Sequence, residues 1–263
     1  MWDVAGVGSI LTKFMNRSHP ESYCHLVQMR SSDPFGLTTN GEVWDLSPFI
    51  FAAKVLMLAR RFDIIHVHAH DGIIDKLRLL YPRKIIIIHY HGTDIRHRWK
   101  DPEKLDVMKR VNGVIVSTRD LLDGAPPNTV YLPNPVDTDL FYPRGNPAKG
   151  KALHFSYNAD KQAAEVCEKM NLELVIHDRS KNPVSHNMMP ELLSKYEYYV
   201  DIKRKCPDDP ILEQMSMTGL EALACGSKVV TWKGDIITNL PEEHRPENAA
   251  NSLWTIYKNL VDK

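Results

Sequence analysis

The densest set of reactive side chains in this 263-residue sequence lies between positions 66 and 97, which hold half of its 12 histidines. His66, His68 and His70 alternate, and in an extended chain alternate side chains share one face. With Asp71, and with His89, His91 and Asp94, they offer the imidazole and carboxylate donors that zinc and related ions favour. A metal-dependent hydrolase working through His66, His68 and His91 would use such a set. The plainer reading is of strands ending at a polar cleft, some rings packed and others meeting substrate. Nothing downstream supplies the remaining ligands of a barrel hydrolase.

A second constellation runs from Glu213 to Glu221 and on through Ala-Leu-Ala-Cys to Gly226. Ser216 and Thr218 each offer the side-chain oxygen that caps a helix start. Glu213 then stands in the loop before the helix and Glu221 about one turn inside it. Backbone amides at Ser216, Met217 and Thr218 point toward any anion in front of them. Glu221 sits between Leu220 and Ala222-Leu223, so its carboxyl needs a hydrogen-bonding partner. A third signal is Gly6-Val7-Gly8-Ser9, where Gly6 and Gly8 let the backbone approach a phosphate or sugar at a helix start. A plain turn has the same composition.

The elements that position these residues alternate along the chain. Strands are expected at Tyr23–Met29, Asp63–His68, Lys84–His89, Gly113–Ser117 and Thr129–Leu132, with helices at Pro48–Phe62, Asp71–Leu80 and Asp101–Val111. The proline and glycine clusters at 133–135 and 143–147 break the pattern. Beyond them strands are expected at Ala152–Tyr157, Glu173–His177, Tyr198–Ile202 and Lys228–Thr231. Helices are expected at Ala159–Met170, Glu191–Lys195, Thr218–Ala224 and Ala249–Val261. This order implies an α/β chain of two parallel-sheet units, with ligands at the carboxyl ends of strands in the cleft between them.

Composition narrows the class. Hydrophobic residues make up 43% and charged residues 25%, the balance of a soluble globular protein. Lysine plus arginine and aspartate plus glutamate are equal at 33 each, so no global positive field holds nucleic acid or an anionic membrane. No apolar run approaches the roughly 20 residues of a membrane span, and the N-terminus lacks a signal-peptide pattern. The cysteines at 24, 167, 206 and 225 form no C-x-x-C pair, which disfavours a disulfide framework and suits a cytoplasmic location.

The motifs, taken together, resemble glycosyltransferase family 4, retaining enzymes of the GT-B fold, in a compact form like those of archaea and large viruses. Glu213-x7-Glu221 followed by Ala-Leu-Ala-Cys-Gly is similar to that family's E-x7-E signature. Val130-Tyr-Leu-Pro-Asn-Pro-Val-Asp137, with Phe141 and Pro143, resembles its interdomain segment. Asp63–His68, His89-Tyr90-His91-Gly92 and the Gly6–Ser9 turn are similar to its N-terminal strand ends and glycine loop. The motifs occur in the family's order.

The resemblance implies two Rossmann-like domains, over 1–141 and 142–248, with the helix from 249 to 263 returning to the first. It implies hexose transfer from a nucleotide diphosphate sugar, GDP-mannose first and a UDP-hexose second, with no metal or other cofactor. Glu221 would bind the donor ribose and Glu213 the sugar hydroxyls; Lys161 would meet the diphosphate and His91 the reacting sugar or acceptor. The family's usual diphosphate arginine is missing before Lys161, a role open to Arg204 or Lys203. The acceptor would be a glycan, protein or lipid, with no nucleic acid. A nucleotide-sugar binding protein without transferase activity is the other alternative, and nothing fixes the oligomeric state, a dimer included.

Overall fold

A computed structural model describes residues 6–92, 94–156, 158–204 and 211–262. The chain divides into two compact units, one made of residues up to Pro135 together with those from Pro246 onward, the other of Val136–Arg245. Cys206, one of the scattered cysteines, lies outside the described residues.

In the first unit β3 (Ile64–His68), β4 (Ile85–Tyr90), β5 (Gly113–Val116) and β6 (Thr129–Tyr131) form a parallel sheet in that order. Side chains alternate across it. Ile65, Val67, Ile86, Ile88, Tyr90, Val114 and Val116 face α2 (Pro48–Ala59), α3 (Ile74–Leu80) and α4 (Pro102–Arg110) in one core. Ile87, Ile115 and Leu132 face α1 (Val7–Ser18) and α8 (Pro246–Val261) in another. Burial on both faces explains the run of four isoleucines, each fully buried one contributing about 1.5–3 kcal/mol. The alternation also fixes where the polar residues go, because His66, His68, His89 and Ser117 carry the parity of the α1/α8 face.

The expected strand at Tyr23–Met29 shrinks to β1, Val27–Met29. The Asn16 side chain takes the place of a strand partner at Cys24, accepting from its amide at 2.7 Å and donating to its carbonyl at 2.9 Å. β1 instead pairs in parallel with a short strand that periodicity does not reveal, β2 (Glu42–Trp44).

In the second unit β7 (Ala148–Phe155), β8 (Glu173–His177), β9 (Tyr196–Asp201) and β10 (Lys228–Thr231) are parallel, and β11 (Ile236–Ile237) runs antiparallel at the edge. The spatial order is β11-β10-β9-β7-β8. The chain therefore leaves β7 toward β8 and returns on its other side to β9, which makes the carboxyl ends of β7 and β9 a topological switch point. Leu153, Phe155 and Tyr199 pack toward α6 (Met189–Leu193) and α7 (Met217–Ala224). Ala152 and Val200 pack toward α5 (Asp160–Lys169) on the other face. Both units thus have the parallel α/β construction expected of a GT-B chain.

Candidate functional site

At the switch point of the second unit, Asp201 ends β9 and anchors the start of α7. Its carboxylate accepts from the Ser216 amide at 2.7 Å and from the Ser216 hydroxyl at 2.7 Å. Ser216 is in turn the helix N-cap, its Oγ accepting from the Gly219 amide at 2.9 Å. Gly219 is required by this packing, since a Cβ there would stand 2.6 Å from Asp201 Oδ2 and 2.9 Å from Met215 Cγ. Of the two expected caps Ser216 takes the role, and Thr218 lies buried inside the helix. The Ser216 amide is committed to Asp201, so Met217 and Thr218 carry the amides of the first turn that face outward along the helix axis.

Glu221 lies one turn further on, 6% exposed. Burial pushes its carboxyl up to about 8, against the pull of the Arg179 guanidinium. A carboxylic acid held neutral by an apolar pocket beside a cation is a polarised group of the sort that collects at functional sites. Arg179 follows β8 and lies 5.0 Å from the Phe155 ring centroid. Glu213 is exposed in the loop before α7 and Lys161 is exposed in the first turn of α5. Arg204 stands three residues beyond the end of β9.

Asp201 and Arg179 were not singled out by sequence. Asp201 had a signal, an acid at the carboxyl end of an apolar strand. Arg179 had none, because its link to Glu221 joins the segment after β8 to a helix distant in sequence.

In the first unit Gly6 is the N-cap of α1 with a left-handed φ of 74°, and a Cβ would meet the Leu37 carbonyl at 3.2 Å. Gly8 is buried within the first turn. Ser9 bonds the overlying loop, its Oγ accepting from the Asn40 amide at 2.7 Å.

The histidines form a stacked set. Ring centroids lie 4.4 Å apart for His66 and His68, 5.2 Å for His68 and His91, and 4.2 Å for His89 and His91. His68 Nδ1 is 3.0 Å from His91 Nε2, and Ser117 Oγ is 2.7 Å from His91 Nδ1 and 2.9 Å from His89 Nε2. His66 Nδ1 is 2.8 Å from the Tyr257 hydroxyl of α8. Burial first, then neighbouring rings, hold His66, His68 and His89 well below the usual imidazole range. His91 is pushed down to about 3 by burial and His66, against a hydrogen bond with Asn134.

Several members of the expected metal set stand elsewhere. Asp71 pairs with Lys104 and accepts from the Tyr90 hydroxyl at 3.3 Å. Asp94 accepts from the amides of His91 and Gly92 at 3.0 Å and 2.7 Å. Both His91 ring nitrogens are engaged by His68 and Ser117. His66, His68 and His89, rather than His66, His68 and His91, bring one ring nitrogen each within 4.8 Å of the others.

No family model matches the sequence, and no curated protein matches it. Among solved structures, an α-glucosyltransferase in complex with UDP and a 13-mer DNA containing an A:G mismatch is similar over 98% of this chain and 87% of its own, with a TM-score of 0.54 and 11% identity. An α-glucosyltransferase with UDP-glucose and DNA containing an abasic site is similar over 98% and 88%, at 0.53 and 13%. A GtfA/B complex is similar over 81% of this chain and 61% of its own, at 0.50 and 10%. At such identities the likeness is one of fold, and the fold is that of GT-B glycosyltransferases.

Two of these structures hold DNA, and that finding overturns the expectation of no nucleic-acid partner. Equal numbers of acidic and basic residues remove only a global field, and local patches suffice for contact with phosphates. Among the described residues no helix is long and apolar enough to cross a membrane.

Proposed function

We propose that this chain is a glycosyltransferase that moves a hexose from a nucleotide diphosphate sugar to an acceptor, with retention at the anomeric carbon as in family 4. The observation that carries this reading is the switch-point array of the second unit. A buried carboxyl, Glu221, sits on a helix whose start is capped by Ser216 and fixed to the sheet by Asp201. Helix-start amides and cations are the means by which a departing diphosphate is stabilised without a metal. Here those are the amides of Met217 and Thr218, with Lys161, Arg204 and Arg179 as cations. Glu221 receives the ribose hydroxyls, Glu213 the hydroxyls of the transferred sugar, and His91 of the first unit meets the reacting sugar or acceptor. Gly6 and Gly8 give the first unit its close backbone approach.

The UDP and UDP-glucose held by similar structures support a UDP-hexose donor, ahead of the GDP-mannose suggested by family resemblance. The DNA they hold supports duplex DNA as the first acceptor to test, with glycan, protein and lipid acceptors as alternatives. Calorimetry with UDP-glucose, other UDP-hexoses and GDP-mannose, beside transfer of radiolabelled sugar to duplex DNA and to a glycan panel, tests the reading. Saturable binding of one donor with transfer to an acceptor is expected. Binding of no nucleotide sugar would refute it, and binding without transfer to any acceptor would leave a nucleotide-sugar binding protein in its place.

A further inference from the structure

We propose that His66, His68 and His89 bind a divalent transition-metal ion of the zinc class, at a site contained wholly within the first unit and adjoining His91. One ring nitrogen of each lies within 4.8 Å of the other two. In each ring one nitrogen is held by a different partner: His66 Nδ1 by Tyr257, His68 Nδ1 by His91, and His89 Nε2 by Ser117. That leaves His66 Nε2, His68 Nε2 and His89 Nδ1. His66 Nε2 and His89 Nδ1 are buried with no hydrogen-bond partner. Buried polar atoms without a partner are costly and often mark the place of an ion or water.

The outer partners can all act as acceptors at once. The Tyr257 oxygen accepts from His66 Nδ1–H, and His91 Nε2 accepts from His68 Nδ1–H. The Ser117 oxygen has two lone pairs and accepts from both His89 Nε2–H and His91 Nδ1–H. Every ring proton is then taken up by an outer partner, and one imidazole lone pair on each of the three rings is left for an ion. This is the outer-shell arrangement that fixes the tautomer of metal-bound histidine. Zinc to nitrogen distances of about 2.0–2.1 Å require tetrahedral donors roughly 3.4 Å apart, so the rings need to tilt inward by about an ångström.

The ion also has a way in. A cavity of about 590 Å³ within this unit is lined by His66 and His68, and by Cys24, His25, Asp63 and Tyr257. Three imidazoles, two of them on the cavity wall, suit Zn2+, Co2+ or Ni2+ rather than Mg2+ or Ca2+, which take oxygen ligands.

Titration of the purified chain with Co2+, followed by visible absorption, tests the site. An intense tetrahedral spectrum saturating at one equivalent and displaced by Zn2+ is expected. His66→Ala is expected to weaken that binding at least about 100-fold, and Ser117→Ala about 10–100-fold through the outer shell. His25→Ala, on the cavity wall but outside the triad, is expected to leave it unchanged. In the unsubstituted protein Zn2+ is expected to raise the melting temperature, with a stabilisation that grows as RT ln(1 + c/Kd) for a free ion concentration c, a readout that no folding defect of a variant can imitate. A weak octahedral spectrum, no saturable binding, or binding lost in His25→Ala and kept in His66→Ala would overturn the proposal.

Discussion

Ser216 engages both oxygens of Asp201, donating its amide to Oδ2 and its hydroxyl to Oδ1, each at 2.7 Å. One carboxylate thereby joins the last residue of β9 to the first capping residue of α7. Asp201→Ala is expected to destabilise the chain by about 1–3 kcal/mol, the range for charged hydrogen bonds whose donors are left unpaired. Gly219→Ala forces its new methyl against the same carboxylate and is expected to cost about 1–3 kcal/mol by overpacking. Urea denaturation measures both, and an unchanged midpoint in either variant would show that this anchor does not hold the helix start.

Glu221 gives a pH signature. Its folded value of about 8 lies above the ordinary 4.5, so between those limits the folded chain holds a proton that the unfolded chain has released. Stability is then lost as pH rises from about 4.5 to about 8, by up to about 1.4 kcal/mol per pH unit. Glu221→Gln, which keeps the neutral form at every pH, is expected to gain on the unsubstituted chain as pH rises from 5 to 8. Parallel melting curves for the two proteins would contradict the buried neutral acid.

The two glutamates separate under the proposed function. Glu221→Ala is expected to weaken binding of the free nucleotide about 10-fold, from the loss of one to two hydrogen bonds made by the buried carboxyl. Glu213→Ala is expected to leave nucleotide affinity intact and to lower turnover roughly 100-fold through lost sugar positioning. Calorimetry beside transfer rates checks both. Equal nucleotide affinity in the Glu221 variant would remove it from the donor site.

His91→Ala is expected to leave nucleotide affinity unchanged while lowering kcat by 100-fold or more, because the proposed role of this ring is at the reacting sugar. An effect confined to KM would assign His91 to uniform binding instead.

Transfer is expected to proceed at full rate in excess chelator, since amides and cations carry the leaving charge in the proposed reaction. Loss of turnover in chelator, restored by Zn2+ or Mn2+, would make the ion part of the chemistry.

Sequence made the parallel sheets legible because buried strands are dense runs of β-branched residues, as at Ile85–Ile88, and because Gly and Pro clusters punctuate them. Glu221 was legible as a buried carboxyl from its apolar neighbours alone. The histidine face was half legible. Period-two alternation joined His66 to His68, but Ser117 and Tyr257 lie on other elements, and only the folded register brings them to these rings. β2 escaped because three residues carry no period, and Arg179 because a contact with a helix distant in sequence leaves no local pattern. The carboxylates Asp71 and Asp94 misled for a related reason. Spacing showed their proximity to the histidines and could not show that Lys104 and two backbone amides already claim them.

The position of α8 in the chain has a consequence for synthesis. Ala249, Ala250 and Leu253 of this helix close the apolar face formed by α1, β4 and β5, yet they are translated only after the whole of Val136–Arg245. At roughly 5–20 residues per second, the growing chain carries Phe14, Ile87 and Ile115 uncovered for about 5–20 s while the second unit, continuous in sequence, completes itself. A chain truncated before Pro246 is expected to leave that apolar face of the N-terminal unit uncovered. A circular permutant that places α8 ahead of α1 removes that delay.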